Sequence, residues 1–117
     1  MHIFKKYEHD IRPWGSYERL TLNEQTTVKI VTVKPNEAFS LQSHVGRDER
    51  WKILGGGGRV RIGDEELPAK IGDEFLIERD TTHRAEAGAD GLIFLEISTG
   101  EFNERDIKRL EDRYGRV

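Results

Sequence analysis

The sequence predicts an all-β protein, a closed jelly-roll barrel with a short C-terminal helix. Three observations carry that expectation. Helical periodicity is nearly absent before residue 102, short β-branched or apolar runs recur at roughly regular spacing, and Gly, Pro, Asn or Asp signals separate them. Closure into a barrel is the arrangement that leaves no strand edge open to stray pairing.

Taken in order, residues 1–25 read as an N-terminal extended segment, with Arg12-Pro13-Trp14-Gly15-Ser16-Tyr17 carrying a docked aromatic. Residues 26–33 (TTVKIVTV) form a strand that Lys34-Pro35-Asn36 ends. Residues 39–44 form the next, and 50–54 a third, stopped by the glycines at 55–58. A phosphate-binding loop at those glycines is disfavoured. Such a loop needs Lys-Ser/Thr opening a helix, whereas Arg59-Val60-Arg61-Ile62 reads as strand, so a flexible hairpin turn is expected. Residues 59–62 then pair across Gly63-Asp64 with 65–67. Residues 74–77 and 83–87 follow, and Ala89-Asp90-Gly91 turns the chain into 92–98. The helical signal covers 103–113, with Asn103 as N-cap and Ile107, Leu110 and Tyr114 at helical spacing. One domain over 1–117 is expected, with the barrel at 26–100 and the helix and tail at 101–117.

Composition excludes several function classes. With 19 basic against 22 acidic residues the net charge is −3, so no basic excess points to nucleic acid or an anionic membrane. The chain has no cysteine, which removes disulfides, thiolate ligands and a thiol nucleophile. There is no Gly-x-Ser-x-Gly elbow. No apolar run reaches membrane-spanning length, and MHIFKKYEHD lacks the apolar core of a signal peptide, so a cytoplasmic protein is expected.

The chemistry-bearing residues cluster in LQSHVGRDERW, where Gln42, His44 and Glu49 read Q-x-H-x4-E, and in TTHRAE, which carries His83. Gln42 and His44 share one face of a strand, because side chains alternate with period two. The turn after His44 can bring Glu49 alongside. Imidazole nitrogen, carboxylate oxygen and amide oxygen together suit a hard or borderline divalent cation. Chance placement among 22 acidic residues and four histidines is the competing explanation. Two charged residues lie inside apolar strands: Lys29, on the face of Val31 and Val33, and Glu96, on the face of Phe94 and Ser98. They contact a ligand if those faces line the barrel, and solvent if they do not.

Together these segments resemble the cupin family, and within it the type II phosphomannose isomerase module commonly fused behind mannose-1-phosphate guanylyltransferase. Arg12 to Tyr17 is similar to that family's RPWG-x-Y opening, and Lys29 to Pro35 to its K-x-I-x-V-x-P strand. LQSHVGRDERW resembles L-Q-x-H-x-H-R-x-E-H-W, and His83-Arg84-Ala85-Glu86 resembles HRxEN. The tail ending in Tyr114-Gly115-Arg116 is similar to the closing YGR segment.

The resemblance implies a cupin barrel holding one divalent metal ion on Gln42, His44, Glu49 and His83. Zinc is placed first, and manganese, nickel, iron and cobalt are open. It further implies interconversion of mannose 6-phosphate and fructose 6-phosphate through an enediolate; the candidate base, from its place in the strand, is Glu96 if it faces inward. Arg47 takes a catalytic and phosphate-holding role beside Lys29. It also implies a homodimer acting on a small sugar phosphate. A module standing alone is expected here, since 117 residues leave no room for a nucleotide-binding domain. Gly46, Arg50, Glu78, Asp80 and Ser98 depart from the family pattern, and Gly46 and Arg50 are expected beside the metal. The alternatives are a non-catalytic sugar- or sugar-phosphate-binding cupin and a metal-dependent cupin of another reaction class.

Overall fold

A computed structural model describes residues 2–116; Met1 and Val117, the ends of the expected 1–117 span, lie outside the described residues. The described chain is built from nine strands: β1 (Glu8–Arg12), β2 (Gly15–Arg19), β3 (Thr26–Val33), β4 (Leu41–Ser43), β5 (Arg47–Ile62), β6 (Glu65–Lys70), β7 (Glu74–Ile77), β8 (His83–Gly100) and β9 (Lys108–Glu111). No helix occurs among the described residues, and so none that could cross a membrane.

Two long antiparallel strands form the frame. β5 and β8 pair along their whole length, from Arg47 opposite Gly100 to Ile62 opposite His83. β6 and β7 add to β5, while β3 and β4 add to β8, and β9 closes on β4. The period-two pattern sorts side chains cleanly. In β5, Arg47, Glu49, Trp51 and Ile53 turn inward and are buried. In β8, Leu92, Phe94, Glu96 and Ser98 do the same. The apolar part of the interior packs Ile53, Val60, Ala69, Ala85, Leu92 and Phe94 around Trp51, whose ring stacks on Phe94 at 4.5 Å between centroids.

The structure joins pieces that the sequence separates. Residues 50–54 and 59–62 belong to one strand, so the glycines at 55–58 are not a hairpin turn. They lie where β5 bulges against β8, between Ile53 and Gly55 and again between Gly56 and Gly58. There the backbones approach so closely that a Cβ on Gly56 would lie 2.0 Å from the Gly91 carbonyl oxygen, and one on Gly58 2.0 Å from that of Glu86. Glycine is needed for close approach, and at Gly56 also for a positive φ of 69°. Likewise, Ala89-Asp90-Gly91 is a kink within β8 rather than a turn between strands. The Gly63-Asp64 hairpin forms as expected, with Ile62 opposite Glu65.

Both ends differ from expectation. The helix over 103–113 does not form. Asn103 does accept a hydrogen bond from the Arg105 amide, at 2.9 Å, but a single turn follows and the chain then enters β9. Two constraints outweigh the helical spacing. The Asp106 carboxylate is held by the amides of Val45 and Gly46 at 2.9 and 2.8 Å. Residues 108–111 then supply the hydrogen-bonding partner that β4 otherwise lacks on that side.

The N-terminal segment is a hairpin of β1 and β2. Its Trp14 is 73% exposed at the turn, and the aromatic that docks is Phe4, at 2%. Arg50, on the outer face of β5, fastens this segment by donating from Nε to the Ile3 carbonyl at 2.7 Å and from Nη1 to Thr99 Oγ1 at 2.8 Å.

Substituting Gly56→Ala is expected to cost about 2–3 kcal/mol, from the left-handed backbone and the overlap with Gly91. Urea unfolding measures this, and an unchanged midpoint would contradict the close approach.

Candidate functional site

The inward residues at one end of the barrel are polar. β5 supplies Arg47 and Glu49, the loop leaving β4 supplies His44, and His83 opens β8. Gln42 on β4 is the Cα partner of His83, which places the two neighbouring ligands of the predicted set side by side. Ligand atoms of His44, Glu49 and His83 all lie within 4.8 Å of one another, and all three residues are buried. His44 Nε2 is 3.3 Å from Glu49 Oε2, and His83 Nε2 is 3.8 Å from Glu49 Oε1.

Hydrogen bonds orient the imidazoles. His44 Nδ1 lies 2.6 Å from the Asp106 carbonyl, and His83 Nδ1 lies 2.9 Å from the Thr81 carbonyl. A carbonyl only accepts, so Nδ1 carries the proton in each neutral ring and Nε2 presents a lone pair inward. Burial, only partly offset by the Glu49 charge, pushes His83 below the usual histidine range and keeps it neutral. Its Nε2 is buried without any hydrogen-bond partner. A buried lone pair facing a carboxylate is costly unless a cation joins them.

Glu49 is the centre of the group. Burial is the largest influence on it and acts to raise its pKa, yet the pKa lies below the usual carboxylate value. The imidazoles of His83 and His44, with hydrogen bonds from Arg47 and Trp51, outweigh burial. Arg47 Nε donates to Glu49 Oε2 and Trp51 Nε1 donates to Oε1, each at 3.0 Å. Gln42 completes the ring, with Nε2 3.3 Å from His44 Nε2 and Oε1 accepting the Ser40 hydroxyl at 2.6 Å. A half-turn of the amide exchanges its ends, and the Ser40 hydroxyl can accept as well as donate. The donor set fits a divalent cation: two imidazole nitrogens and a carboxylate converge, and an amide lies beside them.

Lys29 and Glu96 are brought together as directly paired residues of β3 and β8. Both turn inward, with Val28 and Ile30 exposed on the opposite face of β3. They share a cavity of about 180 Å³ with Gln42, Phe39 and Phe94. Burial and the nearby Glu49 charge push Glu96 up to about 7, with Lys29 pulling the other way. Arg47 is placed differently from a free phosphate ligand. Its Nη2 lies 3.2 Å from His44 Nε2 and its Nη1 donates to the Asn103 carbonyl at 3.4 Å, so its donors are engaged within the ligand group.

Of the departures from the family pattern, Arg50 points away from the metal group and holds the N-terminal segment, which corrects the expectation that it borders the metal. Gly46 borders the group through Asp106. A Cβ there would sit 3.0 Å from Asp106 Oδ2, crowding the carboxylate that clasps the turn after His44. Asp80 adopts a positive φ of 61° and donates its amide to the His44 carbonyl at 2.7 Å. Ser98 is buried beneath Glu96, its hydroxyl 3.5 Å from Oε2. Glu78 is exposed.

Comparison with known proteins decides the family. The model of the family described as "Mannose-6-phosphate isomerase C-terminal" matches residues 2–112. The chain belongs to this family of cupins. Mannose-1-phosphate guanylyltransferase ManC of Salmonella typhimurium is 37% identical over 119 residues, a match covering 96% of this chain and 25% of that protein. Xanthan biosynthesis protein XanB of Xanthomonas campestris is 38% identical over 108 residues, covering 91% and 23%. This cupin chain thus spans about a quarter of the length of the curated relatives it matches. A cupin protein from Bacteroides fragilis has the same fold, with a TM-score of 0.59 at 24% identity over 69% of this chain and 74% of that one.

Sequence reasoning missed Trp51, Asp106 and Ser40, which act on the cupin ligands. Period two from Glu49 could have found Trp51. Asp106 and Thr81 act through main-chain carbonyls, for which side-chain identity gives no signal.

Two outcomes follow from this geometry. His44→Ala and His83→Ala are each expected to abolish stoichiometric binding of a divalent ion, read by metal analysis after reconstitution and dialysis. Full occupancy in both variants would remove the site. The second concerns Glu96 in metal-free protein. Its folded pKa of about 7 lies above the unfolded value of 4.5, so the folded state holds a proton that unfolding releases. Stability should therefore fall as pH rises from about 4.5 to about 7, by on the order of 3 kcal/mol, and Glu96→Gln should flatten the fall. Urea midpoints across this range check it; parallel curves for the two proteins would contradict it.

Proposed function

We propose that the polar end of the barrel is the active site of an aldose–ketose isomerase interconverting mannose 6-phosphate and fructose 6-phosphate. The observation that carries this reading is the meeting, in one cavity, of Glu96, whose pKa burial raises toward neutrality, with Lys29 and with Gln42, which lies beside His44 of the ligand group. Membership of the mannose-6-phosphate isomerase C-terminal family supports it. Isomerisation moves a proton between C2 and C1 of the open-chain sugar, so it needs one group able to take the proton and return it. Glu96 does this: its carboxylate removes the C2 proton and the same carboxyl returns a proton to C1, while the hydroxyl proton passes from O2 to O1. Burial, which raises the Glu96 pKa above the usual carboxylate value, favours a carboxyl able to serve both halves of that cycle.

Gln42, His44, Glu49 and His83 would hold the divalent ion, zinc being suited to a mixed nitrogen and oxygen set. When bound, that ion supplies positive charge to the enediolate oxygens. Arg47 holds Glu49 in position from one side and Trp51 from the other, fixing the carboxylate that anchors the group. Lys29 offers the substrate a cation at the cavity wall. The apolar wall of Val31, Phe39 and Phe94 sheds water from the reacting carbons.

A coupled assay on metal-reconstituted protein with a panel of hexose phosphates tests the reading. Turnover of mannose 6-phosphate to fructose 6-phosphate is expected, with Glu96→Gln lowering kcat by about 10²- to 10⁴-fold while retaining the ion. Saturable binding of mannose 6-phosphate without product would instead make the chain a binding cupin.

A further inference from the structure

The cavity that holds Glu96 has a wall that the mechanism leaves unused. Besides Lys29, Gln42 and Glu96, it is lined by Arg116, from the segment after β9. This segment reaches the cavity because β9 pairs with β4, the strand of Gln42, and the chain beyond it is tied to the barrel at several points. Arg113 donates to the Asn36 carbonyl at 3.0 Å and Tyr114 donates its hydroxyl to Glu37 at 2.7 Å.

Arg116 is itself held in place. Its Nε and Nη2 donate to the two oxygens of Asp112 at 2.7 and 3.1 Å, and its backbone amide adds a third bond at 2.8 Å. The Asp112 side chain is fully shielded from solvent, while that of Arg116 stays about half exposed. The Tyr114 ring lies 5.8 Å from the guanidinium. Nη1 has no protein partner among the described residues, so an oriented cation with a free pair of donors borders the cavity.

Two cations carried by different elements lie on this wall, Lys29 on β3 and Arg116 on the tail, with Glu96 between the apolar side chains. Each has a carboxylate beside it: Asp112 holds Arg116, and Glu104 lies 3.8 Å from the Lys29 ammonium at the exposed rim. Arg47, the other cation nearby, has its donors committed to Glu49, His44 and the Asn103 carbonyl. The unused Nη1 donors of a held guanidinium, with an ammonium on the same apolar-walled cavity, are a matched pair for the oxygens of a phosphate attached to a neutral body.

We propose that Arg116 is a substrate-binding residue that grips the phosphate group together with Lys29, and that Asp112 is the positioning residue that aims it. This rests on the isomerase reading for the identity of the substrate body, but not for the anion site. The sugar phosphate then lies with its phosphate toward the C-terminal tail and its C1–C2 end toward Glu96.

The test compares wild type with Arg116→Ala, Arg116→Lys and Asp112→Asn in two measurements. In the first, binding of inorganic phosphate to the metal-loaded protein is followed by calorimetry. Arg116→Ala is expected to weaken it roughly 10- to 100-fold, Arg116→Lys less, and Asp112→Asn by an intermediate factor, with ion content unchanged. In the second, steady-state kinetics with mannose 6-phosphate should show the same factors in KM and little change in kcat. Phosphate affinity in Arg116→Ala within about twofold of wild type would overturn the proposal, even if the isomerase reading stands. If wild type binds phosphate through Arg116 but turns over no sugar phosphate, the isomerase reading fails and the anion site remains. Because Arg116 is exposed and lies outside the core, the variants are expected to fold, and unchanged urea midpoints verify it.

Discussion

A carboxylate buried at 2% exposure organises one end of this barrel. Removing an ionised glutamate from water costs several kcal/mol, and only full compensation makes it tolerable. Glu49 obtains part of that compensation from an arginine and an indole that donate to it, while two imidazoles face it with lone pairs, so that a cation there would supply the rest. Each of these neighbours has its own second anchor. Trp51 is stacked on Phe94, Arg47 reaches the Asn103 carbonyl, and the histidines are fixed through Nδ1 to main-chain carbonyls. The result is a rigid group whose remaining unsatisfied feature, the lone pair of His83, is directed at its own centre.

Trp51 joins the two halves of the interior. Its ring belongs to the apolar cluster, its Nε1 serves Glu49, and its edge meets His83 with centroids 5.7 Å apart. The barrel can therefore be dry at one end and ionic at the other without a layer of unsatisfied polar atoms between them. Phe102 acts similarly at the mouth, with the Lys29 ammonium and the Arg47 guanidinium each 4.3 Å from its ring centroid. The ring attracts both cations.

The parts of the structure that were legible in the sequence are those that depend on side-chain type and local period. The pairing of Gln42 with His44 follows from alternation, and the arrival of Glu49 from the turn after it; alternation also grouped Lys29 with Val31 and Glu96 with Phe94, but which face lines the barrel depends on the closed sheet and was not visible. Long-range pairing was less visible. Glycines read as breaks, but Gly56 and Gly58 are needed because two backbones come together, a fact carried by the partner strand. The helical spacing of Ile107, Leu110 and Tyr114 was real as a pattern, and it lost to the open edge of β4. Arg50 was misplaced because its neighbours in sequence, Glu49 and Trp51, face the site while Arg50 occupies the alternate position and faces outward. Asp106 works through its carbonyl and through two amides near His44, neither of which its identity announces.

The pairing of β5 with β8 from end to end has a kinetic consequence. Arg47 meets Gly100 only after the chain has closed a loop spanning almost half its length, and such non-local pairing is slow to nucleate because chain entropy is lost before contacts reward it. The ligand residues stand on β4, β5 and β8 or beside them, so no early hairpin assembles more than part of the set. An ion bound there would therefore not template folding from the outset. It would meet a completed barrel, add to the depth of the native well by mass action, and leave the folding rate to the strands.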